Sequence, residues 1–431
     1  MYQGALAQES PPVLRANSRT VDIRDGSRFL KGGWTVDPAV ALDVYVALRA
    51  DEPKRVAFIS DVDSLSLDVQ PGRTYDFIVL LNGTEPCRTR ISTRQQGYRR
   101  TGPGRAATPD TIPFRTRHGR IHIQARVNDS PPIDLMFDTG ANIVALRPSA
   151  LARGAKIKLD GSVPNISFGG TTTQETSSGN RLSVAGLVWD NESMMYFDDQ
   201  AHDASDGILG YNVFEDKLVE IDQDQSVLII HDRVPAMAAG YARPPLRFTG
   251  GLPTVETTFN TGQEADRGWF VIDTGATAAL QLKQDFARAH DLYGAMRRIG
   301  SSTSRGAGGG KVRNEVVLLP ELALGDFVLH NVPTHLESPA AAQSLSSGCL
   351  LGMEVLGRCN MILDYQHNDV YLRPSARFNA AFRTNFAGRP RTLVVAGAVV
   401  AVALLAGLIL VGARRRKNAR VLLAAREERQ P

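Results

Sequence analysis

The sequence predicts a mainly β protein: a small β-sandwich-like domain, two pseudo-symmetric β-rich lobes, then one transmembrane helix. Three observations predict it. Short apolar strands alternate with turn residues before residue 94. The tripeptide Asp-Thr-Gly occurs at 138–140 and again at 273–275, each time closing an apolar run. Near the C-terminus, 393–413 is a run of 21 residues without a charge. A length of 431 residues has room for about three domains.

Taken in order, residues 1–18 read as an N-terminal segment with a signal-peptide remnant. Ala5-Leu6-Ala7 is a small-x-small cleavage site, but the charged and apolar regions that should precede it are missing. The expectation is a start further upstream, or a trimmed chain. Residues 19–94 alternate as strands, in Ala41–Leu48, Arg55–Ile59 and Tyr75–Leu81, with turns at Gln70-Pro71-Gly72 and Asn82-Gly83. This predicts a β-domain without chemistry of its own, one that presents substrate, covers a cleft or contacts a partner. A Gly/Pro/Arg-rich linker at 95–110 follows.

The first lobe is expected over 111–232 and the second over 246–374, joined by a Pro-containing connection at 233–245. In each, an apolar strand ends in an acid: Ile133–Phe137 before Asp138, Trp269–Ile272 before Asp273. Each acid is followed by Thr, Gly and Ala. Downstream, Gly207-Ile-Leu-Gly210 is matched by Cys349-Leu-Leu-Gly352, 72 residues after Asp138 to Gly210 and 79 after Asp273 to Gly352. A short helix and a closing hairpin follow each time, over 219–230 and 361–372. An internal repeat of this kind means two homologous units. Each delivers one carboxylate on a Gly-assisted turn.

With these residues in view, the chain resembles a retropepsin-like or pepsin-like aspartic protease with both lobes on one polypeptide, over roughly 112–373. The resemblance implies an aspartic-type endopeptidase with Asp138 and Asp273 as the catalytic pair, no cofactor and no metal. Two close carboxylates titrate as a coupled pair, one early and one late. The ionised acid would act as general base on a water while the protonated one polarises the scissile carbonyl. Thr139 and Thr274 would hydrogen-bond across the lobe interface. Gly140 and Gly275 would make the sharp turn and admit backbone amides to the carboxylates. Gly210 and Gly352 would let a helix pack behind each loop. Ala141 and Ala276 stand where pepsins carry a hydroxyl, which implies a less acidic optimum. Flap hairpins are expected at Phe168–Thr172, with Gly169 and Gly170, and at Gly306–Gly310, with Gly308 and Gly309. Substrate would lie beneath them as an extended strand. Rival readings are a catalytically inactive peptide-binding pseudo-protease and an envelope interaction protein.

Other chemistries fail on their motifs. Gly306–Lys311 lacks both the first Gly and the Ser/Thr of a phosphate loop, because Arg305 and Val312 stand there. No His-Glu-x-x-His, Cys-x-x-Cys or Gly-x-Ser-x-Gly occurs. A net charge of +4, dispersed apart from the basic tail, is no evidence for nucleic-acid binding, and no nucleic-acid partner is expected. Of three cysteines, Cys87, Cys349 and Cys359, the last two are expected as buried free thiols, with a disulfide between them as the alternative.

A polar juxtamembrane stalk is expected over 375–392. The 393–413 segment is long enough to span a bilayer. Six Lys/Arg follow it within 15 residues and three precede it, so the basic tail at 414–431 is placed in the cytoplasm and the protease outside it. A tail-anchored cytosolic protease is the alternative. The expected partners are a peptide or protein substrate and the membrane, with self-processing in cis left open.

Overall fold

The computed structural model describes residues 10–386, except 27, 39–41, 48–52, 71–72, 94–97, 102–109, 168–169, 199–204, 250, 263–264, 307–310, 339–347 and 385. It is mainly β throughout.

The first domain holds β1 (Val13–Ala16), β2 (Thr20–Asp25), β3 (Arg28–Thr35), β4 (Asp43–Ala47), β5 (Lys54–Ile59), β6 (Ser64–Val69), β7 (Thr74–Leu81) and β8 (Glu85–Thr93). One sheet runs β3-β2-β5-β6 and the other β1-β7-β8-β4. They enclose a core that includes Leu14, Ile23, Trp34, Tyr45, Phe58 and Phe77. Trp34, Tyr45 and Phe58 meet edge to face, with centroids 5.5–6.1 Å apart, the geometry that ring quadrupoles favour. The domain begins earlier than residue 19. Val13–Ala16 pairs in parallel with β7 and buries Leu14 and Ala16. A four-residue strand directly after Pro11-Pro12 is too short to announce itself by alternation.

The first lobe contains β9 (Arg99–Arg100), β10 (Asp110–Pro113), β11 (Arg115–Arg117), β12 (Arg120–Val127), β13 (Ile133–Asp138), β14 (Val144–Leu146), α1 (Pro148–Ala152), β15 (Gly161–Ser167), β16 (Gly170–Val184), β17 (Leu187–Tyr196), β18 (Gly207–Gly210), β19 (Leu218–Asp222) and β20 (Val227–His231). The second contains β21 (Leu246–Thr249), β22 (Leu252–Asn260), β23 (Ala265–Ile272), β24 (Leu280–Leu282), α2 (Gln284–Ala289), β25 (Arg297–Arg305), β26 (Lys311–Leu324), β27 (Phe327–Glu337), β28 (Cys349–Leu351), α3 (Met353–Leu356), β29 (Cys359–Asp364) and β30 (Asp369–Pro374).

The two lobes repeat one topology. In the first, β13 lies parallel to β18, β18 antiparallel to β14, and β14 parallel to β17. In the second, β23, β28, β24 and β27 follow the same order and senses. The closing hairpins of both lobes then merge into one five-stranded sheet, β10-β20-β19-β29-β30, joined where β19 runs antiparallel to β29. One apolar core runs through both lobes.

Three segments expected as connections are tied into the fold. Residues 98–101 carry β9, which pairs with β17. In the connection at 233–245, Ala242 bridges Leu372 and Pro245 bridges Asp369. The described part of the juxtamembrane stalk is not free either. Phe378 packs on Phe327, the Arg358 guanidinium lies 3.7 Å over the Phe382 ring, and Phe386 meets His335. Three phenylalanines at intervals of four were hidden in an otherwise polar stretch. Among the described residues no helix is long and apolar enough to cross a membrane. The segment 393–413, expected to span a membrane, and the basic tail lie outside the described residues. Cys87, Cys349 and Cys359 are buried free thiols.

Candidate active site

Each acid reaches the site because its strand is anchored on both sides. Phe137 and Leu135 are fully buried, and β13 is flanked by β12 and β18. Phe270, Val271 and Ile272 hold β23 in the same way. The strand ends meet at the junction of the lobes, where the two Asp-Thr-Gly turns face each other.

The threonines lock that meeting. The Thr139 amide donates to Thr274 Oγ1 at 3.0 Å, and the Thr274 amide donates to Thr139 Oγ1 at 3.1 Å. Each hydroxyl then donates to a strand carbonyl of the opposite lobe. Thr139 Oγ1 reaches Ile272 O at 2.6 Å, and Thr274 Oγ1 reaches Phe137 O at 2.8 Å. Both threonines are fully buried, so no water replaces a lost partner.

The glycines serve clearance rather than turn geometry. Neither Gly140 nor Gly275 has a positive φ. A Cβ on Gly140 would lie 2.7 Å from Asp273 Cγ, and one on Gly275 would lie 2.5 Å from Asp138 Oδ2. Each glycine is the space into which the other lobe's carboxyl fits. The amides also serve. Gly140 N–H donates to Asp138 Oδ1 at 2.8 Å, and Ala276 N–H to Asp273 Oδ1 at 2.9 Å.

Gly210 and Gly352 work behind the turns. A Cβ at Gly210 would lie 2.3 Å from Ile143 O, and one at Gly352 would lie 2.3 Å from Ala278 O. The neighbour they accommodate is the loop backbone itself, five residues after each acid. A single-turn 3-10 helix, Tyr211–Phe214, follows the first glycine, and α3 follows the second. The first helical amide donates to the carbonyl of the alanine after Asp-Thr-Gly in both lobes: Tyr211 N to Ala141 O at 3.0 Å, Met353 N to Ala276 O at 2.9 Å.

The electrostatics divide the pair. Removal from water pushes both carboxyls above the ordinary carboxylate range. Asp273 goes much further, because the Asp138 charge stands against it and its own proton is shared with Asp138. Asp138 is held back by the Gly140 amide, by the hydrogen bond from Asp273 and by the Arg120 cation. The arrangement favours a pair that holds one proton between its two carboxyls. No signal in the sequence marked Arg120. It opens β12 and donates from Nε to Gly275 O of the other lobe at 2.6 Å.

The expected flap segments fall on two long hairpins. β15 and β16 pair from Gly161↔Thr176 to Ser167↔Gly170, so Gly170 sits at the turn. β25 and β26 pair from Arg297↔Leu318 to Arg305↔Lys311. Gly169, Gly308 and Gly309 lie outside the described residues. Among the described residues no cluster of His, Cys, Asp and Glu is arranged to hold a metal ion.

Residues 123–213 match a family model described as "Aspartyl protease", and residues 261–358 match one described as "gag-polyprotein putative aspartyl protease". One match therefore falls on each lobe, and each includes one Asp-Thr-Gly turn. Among solved structures, an aspartic proteinase from Irpex lacteus is similar, with 12% sequence identity, a TM-score of 0.45, and coverage of 64% of this chain and 100% of that one. No curated protein matches the chain.

Proposed function

We propose, from the aspartyl protease matches that fall one on each lobe, that the chain is a membrane-anchored aspartic-type endopeptidase in which Asp138 and Asp273 share one catalytic water. The observation that carries the assignment of the pair is the reciprocal threonine lock, which seats one carboxyl from each lobe against the other. Ionised Asp138 takes a proton from the water as its oxygen bonds to the scissile carbonyl carbon. Asp273 donates its proton to the carbonyl oxygen, and the developing charge is met in a site enclosed by protein. The pair then gives the water's proton to the leaving nitrogen as the C–N bond breaks, and takes a proton from one hydroxyl of the tetrahedral diol, which restores its single proton. No covalent enzyme intermediate is required.

Substrate lies extended between the strands of the β15–β16 and β25–β26 hairpins, bound largely through its backbone. The 393–413 segment anchors the enzyme, and the surplus of basic residues after it places the catalytic lobes on the extracytoplasmic side. Self-processing in cis would follow if a segment of the same chain reached the cleft.

The test is to incubate the full chain in detergent with a broad peptide library from pH 3 to 7 and sequence the new termini. Internal cleavage blocked by a peptide bearing a hydroxyl in place of the scissile carbonyl is the expected result. Protease protection of sealed vesicles reads the topology, with the lobes digested from the outside and the basic tail protected.

A further inference from the structure

The first lobe is joined to the N-terminal domain in a way the second lobe has no counterpart for among the described residues. Strand β4 lies parallel to β15, with Asp43 opposite Ser162, and the Ser162 amide donates to Leu42 O at 3.1 Å. The sheet therefore runs without a break from the N-terminal domain into the β15–β16 hairpin and on to β13, the strand that ends in Asp138. β4 uses both faces. Tyr45 points into its own domain's core, while Val44, 3% exposed, points into the first lobe. Val44 and Leu42 pack there with Val163 of the hairpin and with Ala141 and Ile143 of the loop that follows the acid.

The pseudo-symmetry of the lobes supplies a control. In the first lobe the strip that lies across the register is Met136, Ile208, Ala145 and Met195, apolar throughout. The equivalent strip in the second lobe is Val271, Leu350, Gln281 and His335. There Gln281 and His335 belong to a polar network with Asn314, Ser302 and Ser304, and Phe386 of the C-terminal segment lies against His335. The first lobe's strip is apolar where Leu42 and Val44 pack with it, whereas two of the four positions in the second lobe's strip are polar. A second polar tie lies beside the junction. Ser92 Oγ and Ser193 Oγ, both buried, are 2.9 Å apart.

We propose that the N-terminal β-domain is a fixed brace of the first lobe, with Leu42 and Val44 as positioning residues that hold the β15 strand and the loop after Asp138 in register for peptide-bond hydrolysis. The proposal rests on the reading of the β15–β16 hairpin as substrate-covering. It assigns the domain a place inside the catalytic unit, docked throughout turnover, rather than the role of a removable cover or an independent binding module. Gly161 fits this role, because a Cβ there would lie 3.2 Å from Val44 Cγ2.

The experiment uses the full chain with Val44→Asp, Val44→Ala, Val44→Ile and the pair Ser92→Cys/Ser193→Cys, oxidised to bolt the domain to the lobe. Val44→Asp is expected to raise KM by about tenfold with a smaller effect on kcat, Val44→Ala to do so to a lesser degree, and Val44→Ile to behave as wild type. Amide hydrogen exchange of 161–167 should speed up in the Asp and Ala variants. The oxidised cysteine pair should keep kcat/KM within about twofold of wild type. Loss of activity on bolting would overturn the proposal, since it would mean the domain must leave. Unchanged KM and exchange in both Val44→Asp and Val44→Ala would also overturn it, and the Ala variant decides if the Asp variant does not fold. Exchange needs no hydrolysis, so the brace is scored even if the chain cuts nothing, an outcome that would count against the proposed function alone.

Discussion

Thr139 and Thr274 hold each other reciprocally, each accepting the other's amide proton at 3.0–3.1 Å while its hydroxyl proton goes to the opposite strand. Four hydrogen bonds thus cross the lobe interface within one residue of the two acids. Replacing either hydroxyl takes the acceptor from a buried amide and one donor from a buried carbonyl, a loss of about 1–3 kcal/mol for a group left unsatisfied. Thr139→Val and Thr274→Val are expected to lower the urea midpoint and to reduce kcat by more than the unfolded fraction explains. Thr→Ser at either site should restore most of both. Equal stability in the valine variants would contradict this reading of the lock.

Gly140 and Gly275 make a sharper separation between fold and chemistry. The group that a new methyl meets is the opposite carboxyl. Gly140→Ala and Gly275→Ala should therefore displace an acid from its partner. The expected loss is at least about a hundredfold in kcat/KM, with melting temperature lowered far less than for a core deletion. Activity close to wild type would show that the carboxyls need not approach as closely as they do here.

The pH profile follows from the direction of the two shifts. In the proposed mechanism the pair must hold one proton, so activity rises as the first proton leaves the pair and falls as the second does. Burial raises both, which places the active window above that of ordinary carboxylates. Arg120 opposes the rise at Asp138. Arg120→Leu should move the acid limb upward by about half a unit or more. Ala141→Ser and Ala276→Ser, which supply a hydroxyl for the ionised acid, should move it downward. Both effects are read from kcat/KM against pH.

Asp43 gives a stability prediction at the domain junction. It is 2% exposed and forms no hydrogen bond to a described side chain. Burial, with a smaller contribution from the Asp37 charge, pushes its carboxyl up to about 8. The folded chain keeps this proton where the unfolded chain has released it. Stability from this group is fully present below the unfolded value of 3.8, and is lost as pH rises through about 8. Asp43→Asn cannot lose a proton. Urea midpoints should favour the variant increasingly from pH 5 to pH 8.5, and a constant difference would mean that Asp43 is already ionised in the fold.

The parts of this structure that could be read in the sequence are those where local pattern and chemistry coincide. An apolar run ending in Asp-Thr-Gly-Ala specifies a strand, a turn and an acid at once, and its repetition with apolar-apolar-Gly downstream implied two lobes. The reciprocal threonine bonds were expected from resemblance. What stayed hidden depends on long-range pairing. The shared sheet needs Leu218 opposite Asp364, 146 residues apart, and neither hairpin signals its partner. The inter-lobe function of Arg120 rests on a carbonyl 155 residues away. The brace depends on Val44, whose alternation with Tyr45 reads equally well as an exposed face. The clearance at Gly140 appears only once the opposite lobe is in place, so a turn was the natural reading of a glycine there.

The most direct test of the paired-acid account is peptide cleavage by Asp138→Asn and Asp273→Asn beside wild type, across pH 3 to 7, with folding checked by circular dichroism. The account predicts that wild type cuts and that each folded variant has lost at least about a thousandfold in kcat. Substantial cleavage by either folded variant would contradict it, because hydrolysis would then not depend on both carboxyls.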